Sequence, residues 1–301
     1  MGVAGTAIAM LAALFGAAVL TEAMAFLLRT DTALPLVPAP EMRTTAPYFP
    51  DADRWLLPAG PLVALGGVAL GMVVIPFGPA LIGKNLGIGV FYFIVVIDFV
   101  VLGIALVGWG ANTSDAVEAC YRIVAQLVAY VVPLGLAIVG AIMMARSLST
   151  VRIVEAQSGL WYIVTQPIGF ALYLVTGLMQ SYRAPFSEAF DNSIGGGVLG
   201  VAGGWIALLW RVTLGGLLFL VAAMGAVLYL GGWQGPALLP GWVWMLLKTY
   251  ALMALMLWLG GKAPPFSTAR MLALAWKLLI PVGLANVLIV GGLILLGVGQ
   301  P

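Results

Sequence analysis

Arg183, Pro185, Glu188 and Asp191 fall close together in SYRAPFSEAFDNS (181–193), within a chain that otherwise avoids charge. A guanidinium beside carboxylates can bind or orient another charged group, and a carboxylate can relay a proton. Asp98, in FIVVIDFVV, and Lys248, in MLLKTYAL, lie well inside apolar runs. An ionisable group at membrane depth costs on the order of 2.5–3.5 kcal/mol on insertion scales, so it faces a partner or a wet cavity. Lysine has a second option, because its long stem can carry the amine to the membrane surface. Aspartate is too short for that. Asp98 is therefore read as lining an internal polar path, with a hydrogen bond to backbone or hydroxyl as the plainer alternative. Glu22, in TEAMAFLLRTD, is placed at the interfacial end of a span.

Other chemistries are excluded by composition. The chain has no histidine and a single cysteine, Cys120. That leaves no ligand set for zinc, haem or an iron–sulfur cluster within the chain, and no intrachain disulfide. A Ser/His/Asp or Cys/His mechanism is likewise impossible. Cys120, at the start of a helix, reads as a buried structural thiol. With a net charge of +2 and no basic cluster, nucleic acid is not an expected partner.

The elements that position these groups follow from hydrophobicity. Of 301 residues 63% are hydrophobic and only 8% charged, with a mean hydropathy of +1.12, which is the composition of an integral membrane protein. The apolar runs are continuous and do not alternate in period two, so helices are expected and a barrel is not. About eight spans are predicted, at 4–28, 56–79, 86–109, 121–145, 159–180, 205–231, 241–261 and 271–298. Together they form a single polytopic membrane domain over 1–301. GTAIAMLAALFGAAVL, with no basic run before it, is read as a retained span. A proline-rich loop at 29–55 and the loop at 181–204 that carries RAPF are both expected on the cytoplasmic side. Arginine and lysine crowd the odd-numbered loops, while the even-numbered ones hold only Lys84, Arg146 and Arg152. By the positive-inside rule this bias puts both termini on the outer, periplasmic side. Paired and tripled glycines, such as those at 66–67, 215–216 and 260–261, suit close helix packing.

LMQSYRAPFSEAF resembles the segment after span five in the H subunit of NADH-quinone oxidoreductase, the complex I subunit 1 family, whose pattern runs roughly A-E-x-x-R-[AT]-P-F-D-L-P-E-x-E. Seven further pieces are similar in the same order: IPFGP (75–79), GIGVFYFIVV (87–96), GWGANTSDAVEACYRIVAQLVAY (108–130), RSLSTVRIVEAQ (146–157), LGGW (230–233), PGWVWMLLKT (240–249) and AWKLLIPVGLANVL (275–288). The resemblance implies a multi-pass subunit of a bacterial inner-membrane NADH:quinone oxidoreductase, and extends to the membrane anchors of group 4 membrane-bound hydrogenases. It implies quinone as substrate, no cofactor and no complete active site in this chain, and iron–sulfur clusters and flavin in partners. Those partners would be peripheral-arm redox subunits on the cytoplasmic side, with antiporter-like and small membrane subunits beside this chain in the bilayer. Asp98, Glu188 and Asp191 become candidates for proton coupling, and Gln180, Arg183, Pro185 and Phe186 for docking or for the quinone loop.

The departures matter equally. Gln180 stands where the family has a glutamate before the arginine, Val131 where it has one after the tyrosine of span four, and Asp98 replaces the span-three glutamate with a shorter acid. The acidic run after RAPF is thinned to Ser187, Glu188 and Asp191. The basic segment, the glycine–proline run and the L-Q-P stretch that follow span one have no counterpart. Two other readings therefore stand beside the first. One is an assembly scaffold that has kept the fold and lost the quinone and proton path; the other is an independent transporter.

Overall fold

The computed structural model describes residues 13, 15–25, 52–79, 81–187, 204–236 and 238–297. Glu188 and Asp191, and most of the loops at 29–55 and 181–204, lie outside the described residues. Within them the chain is all-helical. The helices are α1 (Phe15–Ala25), α2 (Leu56–Met72), α3 (Gly89–Ile97), α4 (Phe99–Gly110), α5 (Ser114–Ala145), α6 (Thr150–Glu155), α7 (Tyr162–Thr165), α8 (Pro167–Gln180), α9 (Gly204–Tyr229), α10 (Gly241–Lys262), α11 (Thr268–Leu274) and α12 (Ile280–Leu295). Among the described residues five helices are long and apolar enough to cross a membrane: α3 with α4, α5, α9, α10, and α11 continuous with α12. The shorter α1, α2 and α8 fall in the remaining intervals expected to span.

α9 lies at the centre, and its stretch from Leu217 to Tyr229 is closed off from the surroundings. α2 packs along α4, where Gly60 and Gly103 let the two backbones approach closely. At the start of α2 the Asp53 carboxylate accepts the Trp55 N–H at 2.8 Å and the Leu56 N–H at 3.0 Å. These two bonds, Leu56 foremost, hold that exposed carboxyl below its ordinary range.

Two helices depart from regular geometry. The span expected as one helix over 86–109 breaks at Asp98, where the chain turns between α3 and α4 and the Asp98 carbonyl accepts the Val101 N–H at 3.0 Å. The last span widens to a π-turn over Ala275–Leu279, just before Pro281. Proline there has no N–H to return to the preceding turn, and a π-bulge is one way to absorb that loss.

Candidate functional site

The segment from Gln180 to Phe186 does not extend from the molecule as a loop. It folds under the helices, with Gln180, Tyr182, Arg183 and Phe186 all buried. Contacts from elsewhere in the chain hold it there. From α5, the Gln126 amide donates to Met179 O at 2.6 Å and to Phe186 O at 3.2 Å. The Phe266 N–H, just before α11, donates to Pro185 O at 2.8 Å, and the Phe186 and Phe266 rings lie 5.4 Å apart. On α10 a Cβ at Gly260 would run into the Ala184 carbonyl. Gly260→Ala is therefore expected to push this segment off α10, at about 1–3 kcal/mol for overpacking, read as a lower thermal midpoint of the purified protein.

Arg183 points inward. Its guanidinium donates to the Glu22 carboxylate of α1 at 2.5 Å, and both side chains are about 5% exposed. Arg211 of α9 lies within electrostatic reach of the same carboxylate. Glu22, expected at an interface, is thus the buried counter-charge of Arg183, with Arg211 in reach of the same carboxylate. A crevice of about 70 Å³ leads to this cluster between α1 and α9, lined by Phe15, Ala18, Val19, Glu22, Leu208, Arg211 and Val212.

A second polar group lies deeper. Half-buried Asp98 accepts the Tyr130 hydroxyl of α5 at 3.1 Å, Gln180 approaches the same carboxyl from α8, and Tyr182 approaches Tyr130. Gln180 and Arg183 are close in sequence, so the two clusters meet at the 180–186 segment. Val131, next to Tyr130, is apolar and adds nothing to this group.

Lys248 belongs to neither cluster. At the other end of the bundle its amine is buried and donates to three backbone oxygens: Leu230 O at 2.6 Å, Gly232 O at 3.0 Å and Gln234 O at 2.5 Å. It also stands 4.1 Å from the Trp161 ring centroid. The turn it closes needs Gly231 and Gly232, whose φ angles are +68° and +49°. The amine therefore stays inside and caps the carbonyl end of α9, so surface snorkelling is not its role. Lys248→Met leaves these carbonyls without their donor and is expected to cost about 1–3 kcal/mol, read as faster thermal inactivation with catalytic coupling intact.

A matching pattern runs through known proteins. The model of the NADH dehydrogenase family covers residues 46–291. A Rhizobium meliloti (strain 1021) protein, named as the second of its NADH-quinone oxidoreductase H subunits, is 33% identical over 269 residues, 85% of this chain and 82% of that protein. The chain belongs to the H-subunit family of NADH-quinone oxidoreductase. An H subunit of Syntrophobacter fumaroxidans is 36% identical over 262 residues, 81% of this chain and 76% of that protein. One from Rhodopseudomonas palustris (strain BisB5) is 35% identical over 244 residues, covering 80% and 76%. At this identity the chain is a divergent family member and a membrane subunit by relationship. The Glu22, Gln126 and Tyr182 contacts were missed by sequence reasoning. The signals that could have found them were a glutamate, a glutamine and two arginines (183 and 211) next to or inside apolar runs, which lipid requires to be paired.

Proposed function

We propose that this chain is the subunit of an inner-membrane NADH:quinone oxidoreductase that seats the peripheral redox arm and forms the inner wall of the quinone cavity. The observation that carries the reading is the buried Glu22–Arg183 pair, with Arg211 beside it, at the foot of an apolar crevice between α1 and α9. An apolar approach ending on fixed charges and hydrogen-bond donors suits one wall of a quinone site, the crevice of about 70 Å³ being too small to hold the head by itself. From there Gln180, Asp98 and Tyr130 continue inward, and Asp98 is the group that takes up and releases the coupled proton. At the same end, a cleft of about 470 Å³ lined by Asn112, Thr113, Ser114, Val117, Glu118 and Tyr121 offers polar contacts to a soluble subunit. The electrons travel in partner subunits, and this chain supplies shape and electrostatics.

A photoreactive quinone analogue tests the reading. In membranes holding the assembled complex it should label peptides of α1, α9 and the 181–187 segment, and excess quinone should suppress the label. Labelling confined to other segments would defeat it. A second reading is favoured by Gln180 and Val131, neither of which can exchange a proton: the chain seats the redox arm with no proton path of its own.

A further inference from the structure

We infer that the flank of α11 and α12 is a seat for another membrane subunit, whose spanning helix presents a carboxylate to Lys277. The inference rests on the reading of this chain as one part of a larger membrane complex.

The depth of Lys277 is the first observation. Gly283 packs against Leu136 of α5 and Gly291 against Met143, so the two helices run parallel and Gly283 is level with Leu136. Lys277 precedes Gly283 by as many residues as Tyr130 precedes Leu136, which sets Lys277 level with Tyr130 and hence with Asp98. On α5 the last charges at that end are exposed Glu118 and half-buried Arg122, paired with each other, and Tyr130 lies about 12 Å beyond Arg122 at 1.5 Å per residue. By the same register Arg270, seven residues before Lys277, is the charge of this helix that lies level with Arg122. A lysine near a helix end can extend its amine to the headgroups, and from Lys277 that takes the full length of the stem.

Exposure is the second. Lys277 is exposed, and among the described residues no carboxylate pairs with it and no hydrogen bond from its amine is found. Among the described residues the other charges within the spans are answered inside the chain: Asp98 by Tyr130, Arg183 by Glu22 with Arg211 in reach of the same carboxylate, Lys248 by three carbonyls. Lys277 alone of these faces outward. Around it Trp276, Leu278, Leu284 and Leu288 are 59%, 52%, 52% and 77% exposed, on the span that is the least covered of the five. Lipid would serve those apolar side chains and leave the amine unmatched. A neighbouring helix with an aspartate or glutamate in its apolar run serves both, since the pair is neutral in a low-dielectric setting.

The test uses the complex in its native membrane, with p-benzoylphenylalanine in place of Leu278 as a photo-crosslinker. The expected product joins this chain to one membrane subunit, through a peptide that carries an acid within an apolar run. Lys277→Glu should lower that product at least tenfold, Lys277→Gln should lower it less, and changing the partner's acid to lysine should restore it in Lys277→Glu. Peripheral redox subunits should remain bound throughout. Adducts with lipid alone, adducts with a second copy of this chain, or a yield unmoved by Lys277→Glu would each overturn the inference. If peripheral subunits are present in those cases, only this inference falls. If the wild-type chain carries no other subunit at all, the reading beneath it falls too.

Discussion

Glu22→Gln should be the most damaging single change outside the helix crossings, lowering the stability of the folded protein by about 3–5 kcal/mol. The substitution leaves the Arg183 guanidinium, 4% exposed, facing a neutral amide, and Arg211 loses the same counter-charge. Arg183→Met strands the Glu22 carboxylate in the same way. The double change to methionine should recover part of the loss, because removing both members of a buried pair costs less than removing one. Denaturation in detergent, followed by the yield of detergent-soluble monodisperse protein, reads the effect. If Arg183 served chiefly to grip a soluble partner, Glu22→Gln would leave the isolated protein as stable as wild type and Arg183→Met would lower only partner recovery.

Asp98→Asn should abolish proton movement while leaving the bundle assembled and quinone reduction running. Asparagine has the size of aspartate and can still accept from the Tyr130 hydroxyl at 3.1 Å, so the break between α3 and α4 is preserved. What it loses is the ability to take up and release a proton. The complex reconstituted in proteoliposomes with a pH-sensitive dye should show a fall in pumping of at least tenfold, a loss of roughly 1.4 kcal/mol or more in effective coupling. Tyr130→Phe should give a smaller decrease, because it removes a hydrogen bond from Asp98 and leaves the carboxyl in place. Pumping unchanged in Asp98→Asn would assign Asp98 a structural part at the helix break and favour the reading in which this chain has no proton path.

The helices were legible because lipid imposes a simple rule on sequence: long runs without charge, bounded by proline, glycine or basic residues. The interior position of Asp98 was legible for the same reason. The partners of the buried charges were not. Glu22 and Arg183 are 161 residues apart, and nothing local to either names the other. Lys248 read equally well as snorkelling or paired, and only the turn through Gly231 and Gly232 decides it, by aiming three carbonyls at one point. The inward fold of the RAPF segment also escaped the sequence, since prolines and charges usually mark solvent-side loops. Here Gln126, Phe266 and Gly260, from three other elements, draw it inside. Lys277 falls inside the span expected at 271–298, and the contact of Gly283 with Leu136 sets it level with Tyr130.

A subunit of a redox complex should leave the membrane with its partners. The most direct test is purification of the tagged protein from its native membrane in mild detergent, with mass spectrometry of everything retained. Iron–sulfur subunits of a peripheral arm are expected together with further multi-pass subunits, in constant ratio to this chain. Recovery of the chain alone, folded and in stoichiometric purity, would contradict that reading.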